Sequence, residues 1–234
     1  MSFILNSFKG DYENLLDTIQ SNDIQKVKDI LDKTTKNKEI LNLNEKVKNG
    51  WYSLLLATNM DNIEIVKLLI DYAINNKIIL KINEQDNDGD YPLLRATRKN
   101  NIKMVKLLID YANVNNIILE LKSIDRSGYF PIFWSINYNN IEMFKLLIDY
   151  SMEKGIKLII NENDIENLIL KNDKDINLKS ISDINNEFIK MIYLYKNQNI
   201  IELIFSENSY LLKKLNDFYE NEKKRKREYR KGEN

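Results

Sequence analysis

A twelve-residue segment occurs three times in this chain at a fixed step, and that recurrence limits the fold more than any other feature. It reads NIEIVKLLIDYA from Asn62, NIKMVKLLIDYA from Asn101 and NIEMFKLLIDYS from Asn140, each copy 39 residues after the last. Gly50, Gly89 and Gly128 keep the same step, as do Pro92 and Pro131, with Ser53 at the corresponding place one step earlier. The chain has 6 Gly and 2 Pro, so half of its glycines and both prolines mark one phase of one unit. A fainter copy lies upstream. Val27 precedes Val66, and Leu15-Leu16 precede Leu54-Leu55, by the same 39 residues, although Asp11 stands where Gly would recur. A unit of this length cannot bury its own apolar face. Stacked neighbours can, and three or more units share a continuous core.

Within a unit the pattern predicts helix, turn, helix, loop. In the middle copy a first helix is expected from Pro92 to about Lys99, with Leu93, Leu94 and Ala96 on its apolar side. Pro suits the first turn, where its missing N–H has no intrahelical partner to lose. Asn100-Asn101 ends this helix, since Asn is the non-glycine residue that best tolerates left-handed backbone. Asn22-Asp23, Asp61-Asn62 and Asn139-Asn140 are the counterparts. In the second helix Ile102, Val105, Leu107, Leu108, Tyr111 and Ala112 form a broad apolar stripe. Its leucine pair is expected to dominate stability, a fully buried Leu being worth roughly 1.5–3 kcal/mol. The segment IILEL after Asn116 reads equally as an extension of that helix or as an extended connector.

Composition removes most catalytic classes. With no Cys there is no disulfide framework and no thiolate nucleophile. With no His there is no His-dependent triad and no imidazole metal ligand. The 35 basic and 35 acidic side chains cancel, so the whole chain has no strong pull towards nucleic acid or acidic membranes. No apolar run approaches the length of a membrane-spanning helix. The N-terminal segment lacks a basic stretch ahead of a long apolar run, so no secretory leader is expected.

The stretch Asn83 to Ala96, NEQDNDGDYPLLRA, resembles the ankyrin repeat pattern N-x-x-D-x-x-G-x-T-P-L-H-x-A. Asn83, Asp86, Gly89, Pro92, Leu93 and Ala96 match, and Val105, Leu107 and Leu108 resemble the V-x-x-L-L that follows. The resemblance covers about residues 11–164 and is strongest over 50–150. Two departures stand out. The family period is about 33, so six residues are extra here, after the second helix. Where the family has a Thr and a His supporting a polar network at the loop base, this chain has Tyr52/Leu55, Tyr91/Leu94 and Phe130/Phe133, and packing is expected to hold that base.

The resemblance implies an all-α, ankyrin-type helix-turn-helix solenoid with a helical C-terminal cap. The array is expected over 1–164, in units of about 11–49, 50–88, 89–127 and 128–164. Residues 165–222 are expected to form a degenerate terminal repeat or cap, with a separate small helical domain as the alternative. Asn161-Glu162-Asn163-Asp164 looks like one more loop start. Phe188, Ile189, Ile192 and Tyr193 suggest one helix, Ile200, Ile201, Leu203 and Ile204 a second, and Tyr210, Leu211, Leu212, Leu215 and Phe218 a third. Residues 223–234 are expected to be a disordered basic tail.

The resemblance also implies non-catalytic protein–protein recognition through a concave face. Carried across by position, that face holds Lys48, Asn49, Trp51, Asn59 and Met60 in one unit. The next contributes Asn87, Asp88, Asp90, Arg98 and Lys99, and the last Arg126, Ser127, Tyr129, Asn137 and Tyr138. Trp51, Tyr129, Tyr138, Arg98 and Arg126 are the candidate anchors, because Trp, Tyr and Arg most often dominate interfaces. Trp134, inside a first helix, reads as core.

Three further features invite chemistry. Glu84, Asp86 and Asp88 before Gly89 have calcium-loop spacing, but Arg95 stands where the bidentate Glu belongs. A capped loop, with Asp86 bonding nearby backbone N–H groups, is expected instead. Asp71, Asp110 and Asp149 recur on the second helices and read as solvated, not catalytic. The run Lys223, Lys224, Arg225, Lys226, Arg227 begins a stretch with seven basic residues in nine. It reads as a solvated helix end, a nuclear-import patch or a nucleic-acid contact. No enzyme activity, metal or cofactor is expected. The expected chain is a monomer that binds a protein, and touches nucleic acid only through the basic run. It is cytoplasmic, or nuclear if that run directs import. The alternative function is a nuclear or nucleic-acid-associated adaptor working through that run.

Overall fold

The computed structural model describes residues 2–161, 184, 188–192, 201–204 and 210–232, in two compact units, Met1–Pro131 and Ile132–Asn234. The first unit holds three helix pairs. They are α1 (Ser2–Gln20) with α2 (Ile24–Lys36), α3 (Ser53–Asn59) with α4 (Ile63–Asn75), and α5 (Pro92–Arg98) with α6 (Ile102–Val114). α1, α3 and α5 pack in sequence as one layer, and α2, α4 and α6 as the other.

The turn inside each pair is built by Asn and Asp. Asn22, Asp61 and Asn100 have φ of 60°, 57° and 54°, the left-handed geometry the sequence predicts there. The next residue caps the following helix. Side chains of Asp23, Asn62 and Asn101 accept from the backbone N–H of Lys26, Ile65 and Met104. Asn has an amide to spare, and it reaches back one unit. Asn62 Nδ2 donates to Asn22 Oδ1 and Asn101 Nδ2 to Asp61 Oδ1, both at 2.7 Å. An ionised Asp could cap but could not donate that second bond.

At the start of α5, Pro92 occupies the first turn and has no N–H to satisfy. Ser53, its counterpart in α3, has one, and the Tyr12 hydroxyl accepts it at 3.2 Å. The tyrosines correct the expectation of a loop base held by packing alone. Tyr52 and Tyr91 are fully buried, and burial pushes both phenols well above their ordinary pKa. Each keeps its proton and donates it to the far end of its own unit, ahead of the next loop glycine: Tyr52 to Lys81 O and Glu84 O (2.8 and 2.9 Å), Tyr91 to Ser123 O (2.9 Å). Tyr91→Phe should therefore lower the urea midpoint by the equivalent of about 0.5–1.5 kcal/mol with an unchanged slope.

The structure also decides the form of the six extra residues. α4 and α6 are capped by Asn76 and Asn115, Lys77 and Asn116 turn left-handed (φ 57° and 55°), and the chain continues as a non-helical connector. Tyrosines on the second helices hold it, because Leu41 N–H donates to Tyr72 Oη and Leu80 N–H to Tyr111 Oη (3.0 and 2.8 Å). Along each connector alternate residues are buried: Leu41 and Leu43, Leu80 and Ile82, Leu119 and Leu121. One expectation about the core fails. Of the leucine pairs, Leu69 and Leu108 are fully buried, but Leu68 and Leu107 are only half-buried: neighbours on a helix point about 100° apart, so the two need not share the packed face.

In the second unit α7 (Pro131–Asn137), which starts at the unit boundary, and α8 (Ile141–Glu153) form another pair, with Asn139 left-handed and Asn140 capping Met143 N–H. Trp134 is fully buried, as the core reading expects. β1 (Leu158–Asn161) pairs in parallel with β2 (Ile201–Ile204), Leu158 opposite Ile201. The expected helix through Ile201, Leu203 and Ile204 is thus a strand. Pairing with β1 supplies backbone hydrogen bonds from a neighbouring strand in place of those internal to a helix. Residues 188–192 are helical, and Phe188 meets Phe144 edge-on at 4.6 Å. Tyr193, Ile200, Glu162–Asp164 and residues 165–183 lie outside the described residues. α9 (Tyr210–Gly232) includes the third expected helix. It also runs through Lys223–Lys231, where a disordered tail was expected.

Candidate partner-binding face

The loops between helix pairs place the candidate residues, and glycine and aspartate set the loops. Gly50 and Gly89 have φ of 80° and 83°, a geometry that penalises any Cβ. Neighbouring loops come too close for one in any case. A Cβ on Gly50 would sit 2.8 Å from Asn87 N, and one on Gly89 would sit 2.9 Å from Asp125 Cα. That closeness allows main-chain bonds from loop to loop, Asn87 N to Asn49 O (3.1 Å) and Arg126 N to Asp88 O (2.8 Å). Asp86 Oδ1 accepts from Asp88 N and Asp90 N, and Asp125 Oδ1 from Ser127 N and Tyr129 N. This is the capped loop the sequence predicts.

Five expected residues come together. Lys48, Asn49, Trp51, Asn59 and Met60 line one groove of about 500 Å³, with Leu16, Val47 and Leu56 as apolar lining and Glu13, Asp17 and Gln20 of α1 as a further wall. Asn87, Asp88, Lys99, Arg126 and Ser127 are exposed, and Arg98 is half-buried. Arg126 meets Asp88 at 3.2 Å in an exposed pair, of a kind that adds little stability. Tyr138 is half-buried in the second unit and stacks on Trp134.

Three expected contact residues are buried, which corrects their assignment to an open face. Tyr129 is 1% exposed and lies under the Arg98 guanidinium, 5.6 Å from its ring centre. Asn137, the last residue of α7, is 1% exposed. Asp90 is 4% exposed and paired with Arg95. The sequence marks Arg95 only as the residue that spoils a calcium loop, not as part of this face. Its guanidinium also stands over Trp51, 5.7 Å from the ring centre. Its positional counterparts, Leu56 and Trp134, are apolar, and that contrast within the repeat was the available signal. Glu13, Asp17 and Gln20 were missed because the first unit is the degenerate one.

Burial pushes the Asp90 carboxyl up to about 6, and Arg95 pulls it back only in part. Asp86 and Asp125 raise it further, while Arg98 opposes them. Among the described residues, Asp90 Oδ1 and Asp86 Oδ2 are buried without a hydrogen-bond partner. A carboxyl whose pKa is higher folded than unfolded holds its proton longer in the folded state. Stability must then fall as pH rises from about 4 to about 6. Asp90→Asn should remove that component, so the difference in denaturation midpoint between wild type and variant should change sign or slope across this window. A constant difference would show that Asp90 ionises as freely folded as unfolded.

Stacked helix pairs joined by interlocked loops define a helix-turn-helix solenoid. The family model for ankyrin repeats (3 copies) matches residues 15–118 and 77–161, more than half of the chain, and the chain belongs to the ankyrin repeat family. No curated protein matches it. Ankyrin repeats are in general protein–protein interaction modules, typically non-catalytic. Among the described residues, no helix is long and apolar enough to cross a membrane.

Proposed function

We propose that this chain is a non-catalytic adaptor, working as a monomer in the cytoplasm, that grips a protein partner through the loop and short-helix face of its repeats. The observation that carries the reading is the convergence of Lys48, Asn49, Trp51, Asn59 and Met60 on one groove. Trp51 is half-buried and steadied by Arg95, so little side-chain entropy remains to be lost when a partner covers it. Trp51→Ala with Met60→Ala should weaken a captured partner by at least about ten-fold, each lost anchor being worth roughly 1–2 kcal/mol or more. Asp71→Ala, on the outer helix, should leave affinity unchanged. Equal loss in both variants would remove the groove from the interface.

A second reading rests on α9, where Lys223, Lys224 and Arg225 are exposed on a regular helix. In that reading the basic run adds nuclear import or nucleic-acid contact. Retention on RNA that falls steeply with salt would support it.

A further inference from the structure

The connectors leave a surface that the groove does not use. Ile40, Ile79 and Ile118 stand 39 residues apart and are 57%, 58% and 56% exposed, while the residue after each, Leu41, Leu80 and Leu119, is buried. Outward positions on an extended segment with one face in the core are ordinarily polar, yet each of these is isoleucine. Ile74 and Val114, near the ends of the helices that lead into two of the connectors, are exposed as well. Aliphatic exposure repeated this way marks an interaction site more often than chance. The surface is also firmly held. Asn44 grips the second connector by donating to Ile79 O and accepting from Lys81 N (2.8 and 2.9 Å). Asn83 does the same for the third, at Ile118 O and Glu120 N (2.7 and 3.1 Å).

We propose that this isoleucine ladder is a docking surface for an amphipathic α-helix of a partner, with apolar residues at every seventh position and acidic residues beside the first two. The spacing argues for a helix. The helices of successive units pack side by side, and packed helices stand about 8–10 Å apart, so the isoleucines are offset by about that distance. Seven residues of an α-helix rise about 10.5 Å, so one side chain per two turns meets one isoleucine per repeat. Charge argues for acidic flanks. Lys38 and Lys77 are exposed, left-handed in backbone and placed two residues before Ile40 and Ile79. They form a basic row alongside the apolar one. Lys81 is paired with Glu84 at 3.8 Å and adds little to it, and Glu39 and Glu120 oppose it only partly. This inference does not depend on the groove reading, since no residue is shared.

The test titrates the full chain, by fluorescence anisotropy, with a labelled synthetic helix of about three heptads. The peptide carries Leu at every seventh position, Glu at the flanking positions of the first two heptads, and Ala and Gln elsewhere. A second peptide of the same composition carries its Leu at every fifth position. The first should bind and the second should bind at least about ten-fold more weakly. Ile79→Asp, and separately Ile40→Asp, should abolish the difference while leaving the circular dichroism unchanged, and Lys38→Glu with Lys77→Glu should weaken the first peptide. Trp51→Ala should have no effect. Equal binding of both peptides would overturn the proposal, as would wild-type affinity in Ile79→Asp. So would binding to phosphatidylserine vesicles with no binding to either peptide, since a membrane surface would then be the occupant.

Discussion

Leu108→Ala should cost about 2–5 kcal/mol, and Leu107→Ala less than half as much, although the two leucines are neighbours in the same apolar stripe. Leu108 is fully buried in α6, within the layer where α6 packs on α4 and against α5. Truncating it removes buried methyl groups and leaves a cavity that the stacked helices close only in part. Leu107 is half-buried, so its truncation removes less contact and water fills the gap. Urea melts of the two variants measure the difference directly. Equal losses would mean that α6 is rotated from the orientation described.

Gly89→Ala should cost about 2–4 kcal/mol, the sum of a left-handed alanine and an overpacked contact. The backbone at Gly89 has φ +83°, and an added Cβ would lie 2.9 Å from Asp125 Cα and 3.2 Å from Ile124 O. Both neighbours are main-chain atoms of the adjoining loop, so neither can swing aside. The variant must part the two loops, which strains the Arg126 N to Asp88 O bond between them and disturbs Arg126 and Ser127. Gly10→Ala is the control. Gly10 lies inside α1 with nothing within 4 Å of the added Cβ, and alanine there should be neutral or stabilising by up to about 1 kcal/mol. Similar thermal midpoints for the two variants would refute close loop stacking.

The helices were legible in the sequence because their signals are local. Asn at the turns, Pro92 in a first turn and the spacing of Val105, Leu108 and Ala112 each act within a few residues. What the sequence left open depends on partners far along the chain. Leu107 and Leu108 lie on one broad stripe, and the packing of α6 against α4 and α5 decides which is buried. Tyr52 and Tyr91 looked apolar at the loop base because their hydroxyl partners, the carbonyls of Lys81, Glu84 and Ser123, lie 29 to 32 residues away. The run Ile201–Ile204 carries no periodicity that separates strand from helix, and its pairing with Leu158–Asn161 is what sets it. Of the candidate face, the loop positions before Gly50 and Gly89 are exposed, as a contact role would need. Asp90 and Tyr129, the residues after the loop glycines, are buried, with Arg95 paired to Asp90 and Arg98 over the Tyr129 ring.

Hydrogen–deuterium exchange on the complex with a captured partner tests the adaptor reading most directly. Protection is expected across residues 47–60, where the loop and α3 form the groove, with the outer faces of α4 and α6 unchanged. Protection confined to those outer helices or to α9, with residues 47–60 exchanging as in the free chain, would contradict the account.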